Sequence, residues 1–301
     1  MNAKEFLLWA LLATLWGSSF LAISIAVHDY DPAILVTGRM VIGAVVLTAV
    51  LFISGSNLRL GARGWAIAAV VGASGNVLPF LLISFAEQTV NSGLAALIMG
   101  IAPIVTLALA PLIHHEETLG KTKILGAIAG FAGVVVLVGP DAAQGMSAEL
   151  VPQLALVLAA LCYAFTALFS RRFPFPNPMQ MAVGSVLVGA LGMLAVSGAE
   201  LVTGDRPDPT SPGSLAIIYL GLGPTALAAL IYFYLIPRIG ATRLQQANYV
   251  VPVIGTVLGI AILGERPEWT TWAALPLILL GVYLVSKKES KPVTREAPAS
   301  A

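Results

Sequence analysis

Charge is what this sequence has least of. Only 10% of its 301 residues are Asp, Glu, Lys or Arg, whereas 58% are apolar and the mean hydropathy is +0.90. A soluble chain carries about 25% charged residues, so a water-facing globule is excluded. A single cysteine, Cys162, rules out an internal disulfide framework. In apolar surroundings it reads as an inert packing residue, because reactivity needs a stabilised thiolate. The net charge is +1 and no basic stripe is present, which argues against nucleic acid. No Asp or Glu falls in the middle third of any long apolar run; Glu87, Glu116, Glu117, Glu200 and Glu265 all stand near run ends. A proton relay built on a mid-membrane carboxylate is therefore not expected. Coupling would need an acid at the rim, and uncoupled diffusion or exchange fits the pattern. The run His114, His115, Glu116, Glu117 has metal-capable types, but at a basic membrane interface no metal site is expected, and no cofactor either.

Long apolar runs are what is there. A helix needs about 20 residues to cross a hydrocarbon core of about 30 Å. Ten runs meet that measure, near 6–26, 33–53, 65–86, 92–113, 122–139, 151–170, 178–199, 213–236, 243–263 and 270–286. The first is too long for a signal-peptide core and lacks a cleavage site, so it reads as a retained span. The expected fold is all-α: a multi-pass membrane protein of ten transmembrane helices. Thirteen Lys and Arg residues fall on the side that holds both termini (Lys4 and Arg59 through Arg295), and only Arg206 and Arg266 fall opposite. By the positive-inside rule both termini are cytoplasmic. The tail, 287–301, reads as solvated and disordered.

The runs also repeat. "DPAILVTGRMVIGA" (31–44) parallels "NPMQMAVGSVLVGA" (177–190), and "IAPIV" (101–105) parallels "VVPVI" (250–254). A glutamate follows each of Pro103 and Pro252 by thirteen residues, and the offset between halves stays within 146 to 149. Two five-span units result, 1–139 and 151–286, joined by an external linker at 140–150. Because five is odd, the second unit enters the membrane from the opposite side. Inverted pairs of this kind are the plan of many secondary transporters, with substrate bound near the midplane between halves.

The chain resembles the drug/metabolite transporter superfamily, in particular its ten-span EamA-type members. The likeness rests on "LWGSSF" (15–20), the "DP…GR" entry to the second span, and the duplicated proline–glutamate spacing. Among these it is most similar to bacterial aromatic amino-acid exporters. The resemblance implies an inner-membrane exporter whose spans surround a central cavity, with a small molecule and membrane lipids as its partners.

Polar residues inside the spans mark where such a cavity would be. Gln245, Asn248, Tyr249, Pro252 and Thr256 share one helical face, bordered by Gln246. Amides facing lipid are costly, so these point toward other helices or water. Met99 stands in the matching stretch of the first unit, giving an apolar wall opposite a hydrogen-bonding one. Asn76 and Pro79 share a face near mid-span, with Phe80 beside them. Trp16 and Tyr163 occupy matching mid-span positions where an aromatic can stack on a substrate ring or simply pack. Ser18 and Ser19 read as bonded within their own helix. Gly221, Gly223 and Pro224 can bend the eighth span, and Pro103 and Pro252 each free a carbonyl, so these five are gating candidates. Arg39 is the one charge well inside a span, and snorkelling to the headgroups and attracting a substrate carboxylate are both open to it. Gly126, Gly130, Gly133, Gly255 and Gly259 read as close-packing faces.

The reading favoured is a secondary transporter that exports small amphipathic metabolites, above all aromatic or other amino acids, by alternating access. A channel or a lipid-linked-sugar flippase is the alternative. A membrane-embedded enzyme would need clustered acids, histidines or a nucleophile–base pair at one depth, and none is present. Monomer and homodimer are both open.

Overall fold

A computed structural model describes residues 1–113, 120–143, 150–175, 177–203, 208–245 and 247–286, and all regular structure among them is helical. Backbone groups with no water to bond must satisfy one another, and an apolar chain does this most simply as helix. Helix α1 (Ala3–Asp29) opens with a capping box: Asn2 Oδ1 accepts from the Glu5 amide at 2.9 Å and Glu5 Oε2 accepts from the Asn2 amide at 2.9 Å. Helix α2 (Pro32–Ile53) starts on Asp31, which caps Ala33, with Pro32 in the first turn. There follow α3 (Gly61–Gly72), a π-helical turn (Ala73–Val77), α4 (Leu78–Ala86), α5 (Ser92–Met99), α6 (Ala102–Ile113) and α7 (Lys121–Ala143). The rest are α8 (Leu150–Arg172), α9 (Pro178–Thr203), α10 (Pro212–Leu220), a second π-turn (Gly221–Leu227), α11 (Ala228–Gln245), α12 (Ala247–Leu263) and α13 (Trp269–Ser286).

Among the described residues six stretches are long and apolar enough to cross a membrane: α1, α2, Gly61–Ala86, Leu150–Ser170, Pro178–Ser197 and Pro212–Tyr232. Three shorter apolar helices accompany them, Ser92–Thr106, Val250–Leu263 and Trp269–Leu284.

Two expectations about continuity need correction. The run 92–113 is not one rod: α5 stops at Met99 and α6 starts at Ala102. Pro103 has no amide to give and its ring crowds the preceding turn, so the ladder breaks there. Its counterpart Pro252 lies inside an unbroken α12. The expected turn at 237–242 is also absent, because α11 stays helical through Pro237 and Gly240 to Gln245. The runs 65–86 and 213–236 stay continuous but each carry a π-turn in their middle, the second at the Gly221, Gly223 and Pro224 expected to bend it, and the extra residue in each loosens the ladder without ending the helix.

Helix α1 lies along α12 and against α10 and α11, α8 packs on α4 and α6, α2 on α9, α7 on α13, and α5 on α12. The α5–α12 crossing is tight enough to demand glycine. A Cβ on Gly100 would sit 2.9 Å from Pro252 Cγ, and one on Gly255 would overlap Ala96. Likewise a Cβ on Gly281 would lie 2.6 Å from the Gly130 amide nitrogen, so the expected glycine seam joins α7 and α13 within the subunit.

The two ends of the bundle differ in charge. Where α1 finishes, Asp29 Oδ2 accepts from the Gly213 amide at 2.7 Å and the Tyr30 hydroxyl lies 2.6 Å from Ser214 Oγ. Glu87 and Glu265 stand at the same end, which we call the acidic rim. Toward the other end are Lys4, Arg59, Arg63, Arg172 and Arg238, where Lys4 and Arg238 both approach the Tyr234 ring and Gln180 Nε2 donates to the Asn57 carbonyl at 2.8 Å.

Candidate functional site

The interior between the halves of the chain is organised around Arg39. This side chain points inward, 4% exposed, which settles the choice between snorkelling and an interior role. Its Nε donates to Thr225 Oγ1 at 2.9 Å, and its guanidinium plane sits 3.7 Å from the centroid of the Phe80 ring. A cation over an aromatic face is worth about 2 kcal/mol or more when desolvated, which offsets part of the cost of burying the charge. Tyr163, from α8, lies within Coulombic reach. No described residue accepts a hydrogen bond from the two terminal amino groups of Arg39, and neither nitrogen is sealed off. The arrangement leaves a fork of donors open beside aromatic surface.

The second π-turn makes this possible. Thr225 Oγ1 donates to the Leu220 carbonyl, five residues back, at 2.8 Å. That carbonyl lacks its usual donor, because the residue four further on is Pro224, which has no amide N–H. The hydroxyl's remaining lone pairs then face α2 and Arg39. Gly221, Gly223 and Pro224, expected to bend this span, all lie in the turn and are buried. The first π-turn is anchored similarly: Ser74 Oγ donates to Val70 O at 2.8 Å and lies 2.7 Å from Thr166 Oγ1 of α8. Asn76 is in that turn and half-buried, and Pro79 and Phe80 follow it, both buried.

Trp16, at mid-α1, is half-buried, and its ring stands 6.3 Å from that of Tyr232 on α11 at an angle of 42°. Tyr163 is half-buried although it packs on the same apolar core. Met99 closes α5 and is buried; Pro103 and Pro252 lie near it, at the α5–α6 break and the α12 crossing. Asn248 is half-buried on α12. Gln246 and the side chains of Gln245 and Tyr249 lie outside the described residues, as does the His114–Glu117 run. Among the described residues no cluster of three His, Cys, Asp or Glu could hold a metal. The structure thus brings Arg39, Phe80 and Tyr163 together, adds Thr225, and pairs Trp16 with Tyr232. Ser18 and Ser19 donate to Thr14 and Trp16 carbonyls as expected, and Ser18 also reaches the Tyr219 hydroxyl at 2.6 Å.

A groove on the outside of the bundle, between α2 and α9, is a different thing. Val41, Val45, Phe52, Leu187 and Leu191 line it, and a carbon-lined furrow with open walls suits acyl chains rather than a polar solute.

At the acidic rim Glu265 reaches across to the start of α5. Its Oε1 accepts from the Ser92 amide and Ser92 Oγ, both at 2.7 Å, and its Oε2 accepts from the Gly93 amide at 3.0 Å. Gly264, at φ +67°, turns the chain after α12 so that the carboxylate can arrive there. A carboxylate on the free amides of a helix start is favoured by the helix dipole as well as by the bonds.

Several membrane-length apolar helices packed into a bundle make a multi-pass membrane protein by class, and sequence comparison supplies what kind. The EamA-like transporter family model matches residues 4–139 and again 151–287, so the chain belongs to that family. It is 27% identical to the uncharacterized inner membrane transporter YedA of Escherichia coli, over 91% of this chain and 88% of that one. It is also 27% identical to a probable terminal-alkyne amino-acid exporter of Streptantibioticus cattleyicolor, over 93% of each. One solved crystal structure aligns with a TM-score of 0.66 at 22% identity, over 94% of this chain and 96% of that one, a likeness of fold.

Proposed function

We propose that this protein exports small amphipathic metabolites, aromatic or other amino acids first among them, from the cytoplasm by alternating access. The observation that carries the reading is Arg39, whose open donor fork matches a carboxylate while the Phe80 ring beneath it and Tyr163 beside it supply aromatic surface. Trp16, Asn76, Pro79, Met99, Gln245, Gln246, Asn248 and Tyr249 complete the cavity wall in this reading. The π-turn at Gly221, Gly223 and Pro224 and the helix-crossing prolines Pro103 and Pro252 let the wall move.

The architecture proposed is two inverted five-helix repeats making ten spans in a bacterial inner membrane, with both termini cytoplasmic. The packing supports it: exchanging each helix for its counterpart maps α1 on α12 onto α8 on α6, and α1 on α11 onto α8 on α4. The two π-turns also fall at corresponding places, with Gly75 and Gly223 equivalent, and the family model matches each half once. On this orientation the acidic rim is external. The Streptantibioticus relative, named an amino-acid exporter, supports the substrate class.

The test is flux of radiolabelled L-phenylalanine from proteoliposomes. Saturable, stereoselective efflux that R39Q abolishes is expected. Linear, unselective flux would mean a pore, and lipid scrambling without flux would mean a flippase.

A further inference from the structure

The acidic rim holds a group that the transport reading leaves unused. Glu87 follows α4, its amide still bonded to Ile83 O at 2.9 Å, and its side chain is 3% exposed. Both carboxylate oxygens are sealed from solvent, and no described residue gives either one a hydrogen bond. The other acids of this rim with described side chains are served or wet. Asp29 takes the Gly213 amide, Asp31 the Ala33 amide, Asp208 the Thr210 amide and hydroxyl, Glu265 three donors, and Glu268 is exposed.

A sealed carboxylate anion without donors is among the costliest groups a protein can hold, and it avoids the cost by keeping its proton. The neighbours do not relieve it. From α2 comes Arg39, within Coulombic reach, but its Nε is committed to Thr225 and its plane to Phe80, and no ion pair forms. From the turn after α12 comes Glu265, of like charge. Helix α1 brings the Ser24 backbone near the carboxyl as a weak hydrogen-bonding partner outside good geometry, which favours the anion slightly, and carries His28 a turn further on, exposed and bonded to the Ser24 carbonyl. Helix α8 brings Cys162 and Tyr163, and α5 has no titratable side chain. Burial pushes the Glu87 carboxyl well above the usual carboxylate range, Glu265 adds to the shift, and Arg39 and the Ser24 backbone return part of it.

We propose that Glu87 is a proton-binding site that sets the seal at the acidic rim: the rim closes with Glu87 protonated and, once opened, the hydrated carboxyl gives its proton to the solution outside. One O–H bond forms on closure and breaks on opening, and water at the rim supplies and takes the proton. Glu87 would be the rim acid that coupling was expected to need, in place of uncoupled diffusion or exchange, and the proposal rests on the alternating-access reading for the meaning of the seal.

The sign follows from linkage. The closed state holds the proton more tightly than the open one, so closure is fully favoured below the ordinary carboxyl value of about 4.3. The closed-to-open ratio then falls by up to about tenfold per pH unit until the closed-state value is passed. Val90, buried in the same turn, reports on the seal, and the exposed Thr89 beside it corrects for thiol ionisation. In a C162A background, the ratio of labelling rates of V90C to T89C should rise with pH, and with E87Q added it should stay low and flat. A pH-independent ratio with Glu87 present, or the same rise in E87Q, overturns the proposal. Should E87Q fail to fold, infrared spectra of the C162A/V90C protein decide: a carboxylic-acid C=O band should fade over the pH range in which V90C becomes reactive, and a band that is missing or does not fade there overturns the proposal. Neither readout needs a substrate, so failure of phenylalanine flux and failure of this proposal are separate results.

Discussion

Glu265 and Ser92 are 173 residues apart in sequence and joined by two hydrogen bonds of 2.7 Å, from the amide and the hydroxyl of Ser92 to one carboxylate oxygen. With Gly93 on the other oxygen, this one side chain fastens the end of α12 to the start of α5. A Cβ on Gly259 would collide with the same carboxylate, so the helix is kept bare where Glu265 folds back.

Removing the carboxylate should therefore loosen the acidic rim. Bonds to a charged group are worth about 1.5–3 kcal/mol each and do not add, so E265A should weaken closure by about 3 kcal/mol, or about a hundredfold in the closed-to-open ratio. E265Q keeps one acceptor but turns an N–H toward a donor, and should fall between. The V90C labelling ratio at fixed pH measures both; unchanged labelling in E265A would mean that other contacts hold the rim.

The Arg39 site yields a second expectation. R39K keeps the charge but loses the fork, the Nε bond to Thr225 and the flat contact with Phe80. T225V keeps the charge and the fork but removes the acceptor that aims them. R39K should raise the half-saturation concentration for a carboxylate substrate by more than tenfold, and T225V by about fivefold, equivalent to about 1 kcal/mol. An amine lacking the carboxylate should show neither change, and competition in the phenylalanine flux assay distinguishes them.

Helix packing gives a third. A Cβ on Gly72 would lie 2.5 Å from the Ser185 carbonyl oxygen, which is backbone and cannot swing aside, whereas Gly192 meets nothing within 4 Å. G72A should destabilise by about 1–3 kcal/mol through overpacking, while G192A should be neutral or stabilise by up to about 1 kcal/mol by stiffening the unfolded chain. Thermal unfolding of the two purified variants in detergent makes the comparison.

How much of this was legible beforehand varied with the range of the interaction. Apolar helices are written in local hydropathy, so the six of membrane length among the described residues were readable to within a few residues, whereas Pro103 broke one run and α11 continued through Pro237 beyond another. The repeat was readable because it is a comparison of the chain with itself. The role of Arg39 was not, because its partners Phe80 and Thr225 lie on other helices and a lone arginine in a span has two good destinations. Glu87 was placed near a run end, where the structure has it, but its burial was not legible for the same reason: packing from α1, α2 and the turn after α12 seals it. The π-turns were half visible. Gly221, Gly223 and Pro224 advertised a disturbed helix, but Ala73–Val77 contains no proline and gave only the glycine at 75 as a clue.

Trp16 allows a test that separates binding from packing. Its contact with Tyr232 is worth about 0.5–1.5 kcal/mol beyond buried area, so Y232L should lower thermal stability modestly whatever Trp16 does for substrate. If Trp16 also stacks on cargo, W16A should raise the half-saturation concentration for L-phenylalanine several-fold more than for L-leucine, because only the former loses a ring partner. A purely structural tryptophan would shift both substrates by the same factor, and W16F, which keeps an aromatic face, would then rescue stability without restoring any preference. Measuring the two substrates side by side in wild type, W16A, W16F and Y232L decides between these outcomes; equal shifts for both amino acids remove Trp16 from the binding wall.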